Sequence, residues 1–161
     1  MPLLPQPIPP QKVRDMNEQP VELLLVEDNP NDVELILHVF KKYNLDNSIK
    51  VARDGAEALE FLSSGDAHSL PRVILLDLKL PKVNGLEVLG KIKGDPRTKS
   101  IPVVVLTSSR EERDLAVCYE LGVNSCIVKP VDSTKFTEAV RQLGLYWLGL
   151  NERQHALPQQ T

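Results

Sequence analysis

The chain contains five short runs of Val, Ile and Leu, and the stretches between them have the spacing of amphipathic helices. Apolar runs without polar alternation are typical of strands buried on both faces of a parallel sheet. We predict strands near residues 21–26, 47–52, 72–77, 101–107 and 123–128. Strands that alternate with helices imply βαβ crossovers, so the predicted fold class is α/β, with a doubly wound five-stranded parallel sheet.

Several residues mark where the predicted helices begin and end. Asn29 is a suitable N-cap, and Pro30 suits the first position of a helix. Gly122 is suited to end the fourth helix, and Asp132 or Ser133 can cap the fifth. The first helix is predicted to begin at Pro30, and the next three to span residues 55–62, 85–93 and 110–121.

The composition divides the chain into three parts. Residues 1–20 contain many prolines and few large apolar side chains, so we predict a disordered N-terminal extension. Residues 21–150 form the predicted domain, because a chain of 161 residues is too short for two typical ones. Residues 151–161 are predicted to be a polar tail. No DNA-binding or enzymatic segment is expected after residue 150.

Charge and hydropathy exclude several classes of protein. A net charge of −3 gives no basic surface for nucleic acid. No apolar stretch approaches the length of a membrane span, and the N-terminus lacks the pattern of a signal peptide. Cys118 and Cys126 do not have metal-ligand spacing, so we expect two packed, reduced thiols. The predicted location is the cytoplasm.

Polar residues stand at the ends of four of the apolar runs, and they suggest a shared site. Glu27 and Asp28 follow the first run, while Asp77, Thr107 and Lys129 close the third, fourth and fifth. The carboxyl ends of parallel strands lie at one edge of a sheet, where ligands bind. Three carboxylates suit a hard cation such as Mg²⁺ or Mn²⁺. A carboxylate can also attack phosphorus, with a lysine and a hydroxyl binding the phosphoryl oxygens.

These residues and their surrounding motifs resemble the receiver domain of two-component response regulators. The supporting segments are residues 25–29, 54–59, 77–81, 84–85 and 129–130, and the match extends over about residues 20–148. The resemblance implies a flavodoxin-like (βα)5 fold that accepts a phosphoryl group from a sensor histidine kinase.

The same resemblance assigns roles to individual residues. It makes Asp77 the phosphoacceptor and implies that Glu27, Asp28, Asp77 and the backbone carbonyl of Lys79 hold the metal. Thr107 and Lys129 become the residues that bind the phosphoryl group, and Pro130 follows a cis peptide bond. Cys126 replaces the aromatic residue through which receivers usually couple phosphorylation to a change of surface.

The end of the fifth helix carries a narrower resemblance. Residues 145–148, together with residues 103–109, are similar to the single-domain regulators of cyanobacterial and bacterial phytochromes. This implies a phytochrome-type histidine kinase as partner. Because no output segment is expected after residue 150, we expect the output to be protein–protein contact or phosphate relay. Tyr146 and Trp147 fit either a packed helix end or a subunit contact, and we predict that they form part of a homodimer interface.

Two other classes use a similar fold. An aspartate-nucleophile phosphatase of the haloacid-dehalogenase type needs a second acid two residues after the nucleophile, and that position is Lys79. A flavodoxin-like cofactor binder needs a phosphate-binding loop rich in Gly, Ser or Thr after the first strand. That loop begins here with Glu27 and Asp28, which would repel a flavin phosphate.

Overall fold

The structure is a computed structural model that describes residues 21–44, 48–65, 69–108, 112–129 and 134–146. The predicted N-terminal extension, the predicted cis bond at Pro130, the predicted interface residue Trp147 and the predicted polar tail lie outside these residues. In the described part of the chain, no helix has both the length and the apolar character needed to span a membrane.

A single five-stranded parallel sheet forms the centre of the molecule. The strand order is β2-β1-β3-β4-β5, and every neighbouring pair runs parallel. The three central strands are buried along their whole length, whereas the two edge strands are partly exposed. This confirms the predicted doubly wound sheet. The strands are β1 (Leu23–Val26), β2 (Ile49–Ala52), β3 (Val73–Asp77), β4 (Val103–Thr107) and β5 (Ser125–Val128).

Five helices cover both faces of the sheet. One face packs against the apolar sides of the first and fifth helices, and the other packs against the second, third and fourth. Among its described side chains, the fourth helix buries Cys118 alone, whereas the first buries Val33, Ile36 and Phe40. The helices are α1 (Pro30–Lys42), α2 (Gly55–Ser63), α3 (Gly85–Gly94), α4 (Glu112–Glu120) and α5 (Thr134–Gly144).

The strands begin up to two residues later than the apolar runs that predict them. In β4 the reason is Pro102, which has no amide hydrogen to donate to a neighbouring strand. Its carbonyl still accepts a hydrogen bond from the amide of Ile74 at 3.0 Å. Gly122 follows the end of α4 and has a φ of +94°, a left-handed conformation that suits glycine. This confirms the prediction that Gly122 ends the helix.

Two local features position the loops around the sheet edge. Asn29 caps α1 by accepting from the amides of Asn31 and Asp32, at 2.9 and 3.3 Å. Gly85, at the start of α3, lies directly against the end of β3. A Cβ at that position would lie 2.4 Å from the Asp77 carbonyl oxygen, so only glycine permits this approach.

Candidate functional site

The ends of the central strands meet at one edge of the sheet. Asp77 is opposite Leu106 in the register of β3 and β4. The amide of Lys129 donates to the carbonyl of Thr107 at 2.8 Å, which continues the pairing of β4 and β5. The amide of Glu27 donates to an edge-strand carbonyl at 3.0 Å. The sheet thus brings four of the predicted residues to the same place.

Three carboxylates lie close together at this edge. Oxygen atoms of Glu27, Asp28 and Asp77 all lie within 4.8 Å of one another. Glu27 is completely buried and Asp77 is 5% exposed, whereas Asp28 faces solvent. Carboxylates at this separation repel one another unless a positive charge neutralises them. The predicted cluster of acids is therefore present in the structure.

The side chain of Lys129 supplies a positive charge to this cluster. Its Nζ atom lies 2.9 Å from Glu27 Oε2 and donates hydrogen bonds to Asp77 Oδ2 at 3.1 Å and Asp32 Oδ2 at 2.8 Å. The ammonium is mostly buried and contacts acids from β3, the end of β1 and α1. Lys129 therefore links the end of the edge strand β5 to the centre of the sheet.

Asp32 is a member of the site that the sequence analysis missed. It lies in the first turn of α1, where an acidic residue is normally explained by the helix dipole. A signal in the sequence was its position four residues after Asp28, in the first turn of the helix that follows the acidic pair. That spacing says nothing about Lys129, because the contact depends on where the fold places the start of α1 relative to the end of β5.

The backbone orients two of the carboxylates. Glu27 Oε1 accepts a hydrogen bond from the amide of Asn29 at 3.2 Å. Asp77 Oδ1 accepts one from the amide of Lys79 at 3.0 Å, which leaves Oδ2 facing Lys129. Lys79 itself is exposed in the loop after β3. These bonds hold the two acids in fixed orientations at the sheet edge.

Burial and neighbouring charges change how this site ionises. Burial raises the pKa of Glu27 to about 7, and the adjacent carboxylate of Asp77 adds to the shift, while Lys129 opposes it. Burial alone lowers the pKa of Lys129, but contacts with Asp32 and Glu27 and the charge of Asp77 raise it above its ordinary value. Lys129 therefore carries its proton throughout the neutral range.

The site fits a divalent cation. Although Glu27 Oε2 lies 2.9 Å from Lys129 Nζ, its geometry is not that of a hydrogen bond, and this buried oxygen has no hydrogen-bond partner among the described residues. A buried carboxylate oxygen that is held by an ion pair alone, beside two more carboxylates, belongs to an oxygen donor set of the kind that Mg²⁺ and Mn²⁺ prefer. Glu27, Asp28 and Asp77 are the residues that could hold the ion.

The other predicted residues have different surroundings. Thr107 is buried at the end of β4. Cys126 is half-buried on β5, beside the buried thiol of Cys118, and both cysteines are free. Burial raises the pKa of Cys118 to about 11, and the neighbouring Cys126 adds to this shift. Tyr146, just after α5, is 55% exposed.

The sequence profile of the response regulator receiver domain matches residues 23–141, most of the chain. The chain belongs to the receiver domain family. The response regulator Rcp1 of Synechocystis sp. is 41% identical over 137 residues, which are 83% of this chain and 93% of Rcp1. The probable methanogenesis regulatory protein FilR2 of Methanothrix harundinacea is 44% identical over 136 residues, with 83% of this chain and 88% of FilR2 covered.

Solved structures agree with these sequence matches. The phosphorylated cyanobacterial phytochrome response regulator RcpA superposes with a TM-score of 0.74 at 37% identity, covering 83% of this chain and 98% of RcpA. The Mn²⁺-bound form of Rcp1 superposes with a TM-score of 0.73 at 39% identity, with the same coverage of both chains. This receiver is therefore related to phytochrome response regulators.

The family assignment has two consequences for the chain. Receiver-domain response regulators are signalling proteins, so this chain is a signalling protein of that family. The assignment also decides against an aspartate-nucleophile phosphatase of the dehalogenase type and against a flavodoxin-like cofactor binder. The acidic cluster and the Mn²⁺-bound relative fit a divalent-metal site.

Proposed function

We propose that this protein accepts a phosphoryl group on Asp77 from a sensor histidine kinase, with Mg²⁺ or Mn²⁺ held by Glu27, Asp28, Asp77 and the backbone carbonyl of Lys79. The observation that carries the proposal is the environment of Asp77. This carboxylate ends a buried central strand, lies in a cluster of three acids and has one oxygen 3.1 Å from the ammonium of Lys129.

The chain's own residues account for the transfer step. A carboxylate oxygen of Asp77 forms a new bond to phosphorus as the phosphorus–nitrogen bond of the kinase phosphohistidine breaks. The imidazole nitrogen leaves with the bonding electrons. Lys129 stays protonated and pairs with a phosphoryl oxygen. When bound, the metal would neutralise the negative charge of the phosphoryl oxygens.

Thr107 is the residue that we propose as the switch. Its hydroxyl would donate to a phosphoryl oxygen, and its backbone carbonyl is already bonded to the amide of Lys129. A movement of Thr107 would therefore act on the ends of both β4 and β5. Cys126 is too small to report such a movement as a large ring would, so the change of surface would develop without an aromatic switch.

A phytochrome-type histidine kinase is the partner that we propose. The support is the relationship to RcpA, which is a phytochrome response regulator, and to Rcp1. Phosphorylation would take place in the cytoplasm. The output would be protein–protein contact, with a homodimer that includes the exposed Tyr146 and the adjacent Trp147.

Incubation with acetyl phosphate and Mg²⁺ tests the phosphoacceptor. We expect the intact protein to gain one phosphoryl group, as measured by mass spectrometry, and to lose it in base as an acyl phosphate does. Asp77→Asn should remain unmodified. Asp95→Asn, which changes an acid at the far end of α3, is the matched control and should be modified like the wild type. A wild-type chain that gains no phosphoryl group would refute the proposal.

A second experiment tests the kinase. A purified phytochrome-type histidine kinase, labelled on its histidine with ³²P, should transfer the label to this protein faster than an osmosensing kinase does at the same concentration. Equal rates from both kinases would contradict the proposed partner and leave the phosphoacceptor unaffected. Asp77→Asn should receive no label from either kinase.

A further inference from the structure

Asp32 is attached to Lys129 but does not belong to the cluster of possible metal ligands. Its Oδ2 accepts a 2.8 Å hydrogen bond from Lys129 Nζ, the shortest contact that the ammonium makes with an acid. The carboxylates that lie within metal-binding distance of one another are those of Glu27, Asp28 and Asp77. Asp32 is thus the acid that contacts Lys129 from outside the cluster.

A bound divalent cation would change the other contacts of Lys129. Glu27 and Asp77 would be shared between the cation and the ammonium, and these two positive charges repel each other. Their hold on Lys129 therefore weakens when the metal is bound. Asp32 is not shared in this way, so its attraction for the ammonium remains.

We propose that Asp32 is a positioning residue that holds the Lys129 ammonium beside Asp77 while the metal is bound and the phosphoryl group is transferred. This inference rests on the proposed phosphorylation of Asp77. Lys129 remains protonated, and Asp32 contacts neither the phosphoryl group nor the metal. Its contribution is to keep the ammonium where a phosphoryl oxygen arrives.

The backbone of Asp32 is well suited to this task. Its amide donates to the Asn29 cap, and Pro30 fixes the start of the same helical turn. Val33 and Ile36 are buried against the sheet, so this turn cannot rotate without exposing apolar surface. The side chain is only 17% exposed, and a charge-assisted hydrogen bond is stronger in such a partly buried place than in water.

The test compares Asp32→Ala with wild type in two measurements. The first is the initial rate of Asp77 phosphorylation by acetyl phosphate at saturating Mg²⁺. The second is the Mg²⁺ dissociation constant, taken from the rise in unfolding temperature with Mg²⁺, which also shows that the variant folds. We expect the phosphorylation rate to fall about tenfold, as for the loss of one charge-assisted hydrogen bond, and Mg²⁺ affinity to fall much less.

Two further variants separate positioning from a general effect of charge or structure. Glu34→Gln removes an exposed acid from the same helix and should phosphorylate at the wild-type rate. In a Lys129→Met background, Asp32→Ala should cause no further loss, because a residue that acts through Lys129 has nothing left to position. A structural defect would instead add to the loss.

Three results would overturn the inference. They are an Asp32→Ala rate equal to wild type, a loss of Mg²⁺ affinity as large as the loss of rate, or an equal further loss in the Lys129→Met background. If wild type itself gains no phosphoryl group, the proposed function fails. If wild type is phosphorylated and Asp32→Ala is equally fast, only the positioning role fails.

Discussion

The ammonium of Lys129 lies 2.9 Å from a buried oxygen of Glu27 that has no hydrogen-bond partner in the described part of the chain. Burial raises the pKa of Glu27 to about 7. A metal ligand must be ionised, so a proton competes with Mg²⁺ for this carboxylate around neutral pH. We predict that Mg²⁺ binds about tenfold more tightly at pH 8 than at pH 6, as measured by metal titration of thermal stability.

Glu27→Gln is the control for this pH dependence. It should bind Mg²⁺ more weakly and with a dissociation constant that changes less with pH. Glu27 also makes the stability of the metal-free protein depend on pH. Between pH 4.5 and about 7 the folded chain holds a proton that the unfolded chain has released. The contribution of Glu27 to the free energy of unfolding therefore decreases as pH rises through this range. An identical wild-type dissociation constant at pH 6 and pH 8 would contradict the assignment to Glu27.

Removing the charge of Asp28 should stabilise the metal-free protein. Asp28 is exposed and close to two other acids, so Asp28→Asn relieves repulsion without removing an acid that contacts Lys129. We expect a gain of about 0.5 kcal/mol in the free energy of unfolding in EDTA, measured with urea.

The same variant should respond less to Mg²⁺. At a concentration 100 times its dissociation constant, Mg²⁺ should stabilise the wild type by about 2.7 kcal/mol, and Asp28→Asn should lose more than half of this at the same concentration. Glu34→Gln removes an exposed acid from α1 and serves as the charge control. An Asp28→Asn variant that is less stable than wild type in EDTA would argue against repulsion within the cluster.

Two glycines of α3 should respond in opposite directions to substitution by alanine. A Cβ at Gly85 would meet backbone atoms of Asp77 and Leu78 at 2.4 Å, whereas a Cβ at Gly90 has no heavy atom within 4 Å. Gly85→Ala should therefore destabilise the protein by about 1–3 kcal/mol and weaken Mg²⁺ binding, because Asp77 must shift.

Gly90→Ala is the matched control, since it makes the same change on the same helix. It should stabilise the protein by about 0.5–1 kcal/mol, because alanine restricts the unfolded chain and favours a helix interior. Urea unfolding measures both variants. If Gly85→Ala proved as stable as Gly90→Ala, α3 would not approach the end of β3 as closely as the structure shows.

The sequence was sufficient to predict the sheet, most helix boundaries and five of the six residues at the sheet edge, the exception being Asp32. Asn29 and Pro30 mark the start of α1, because helix capping depends only on neighbouring residues and can be predicted from one sequence. β3 was predicted to its last residue, because Asp77 ends an uninterrupted apolar run. The start of β4 was less predictable, since Pro102 takes part in the sheet through its carbonyl alone.

Asp32 could not be predicted, because its contact with Lys129 joins residues 97 positions apart. Each residue has an ordinary local explanation, one as an acid near a helix start and the other as a lysine after a strand. Only the tertiary arrangement, which places the first turn of α1 near the end of β5, brings the two charges together. Long-range pairs of this kind need the relative placement of elements, which periodicity does not supply.

The exposed Tyr146 leads to a prediction about assembly. Aromatic side chains are favoured anchors of protein interfaces, and Tyr146 is 55% exposed just after α5. We expect the wild type to be a homodimer at micromolar concentration in sedimentation experiments. Tyr146→Ala combined with Trp147→Ala should give a monomer that is still phosphorylated on Asp77.

Leu35→Ala, which removes an exposed apolar side chain from α1, is the control and should leave the dimer intact. A wild-type chain that sediments as a monomer both before and after treatment with acetyl phosphate would contradict the dimer. That result would not affect the roles proposed for Asp77 and Lys129.

The burial of Cys118 as the sole fully covered side chain described on α4 has a consequence for local stability. Burial of an apolar side chain contributes roughly 1.5–3 kcal/mol, and α1 buries three of them, so the described side chains of α4 hold that helix to the sheet less strongly than those of α1 hold α1. Backbone amides of α4 should then exchange with solvent deuterium earlier than those of α1. A rearrangement that begins at Asp77 would therefore move α4 more readily than α1, because α4 can shift without exposing the side chains that α1 buries.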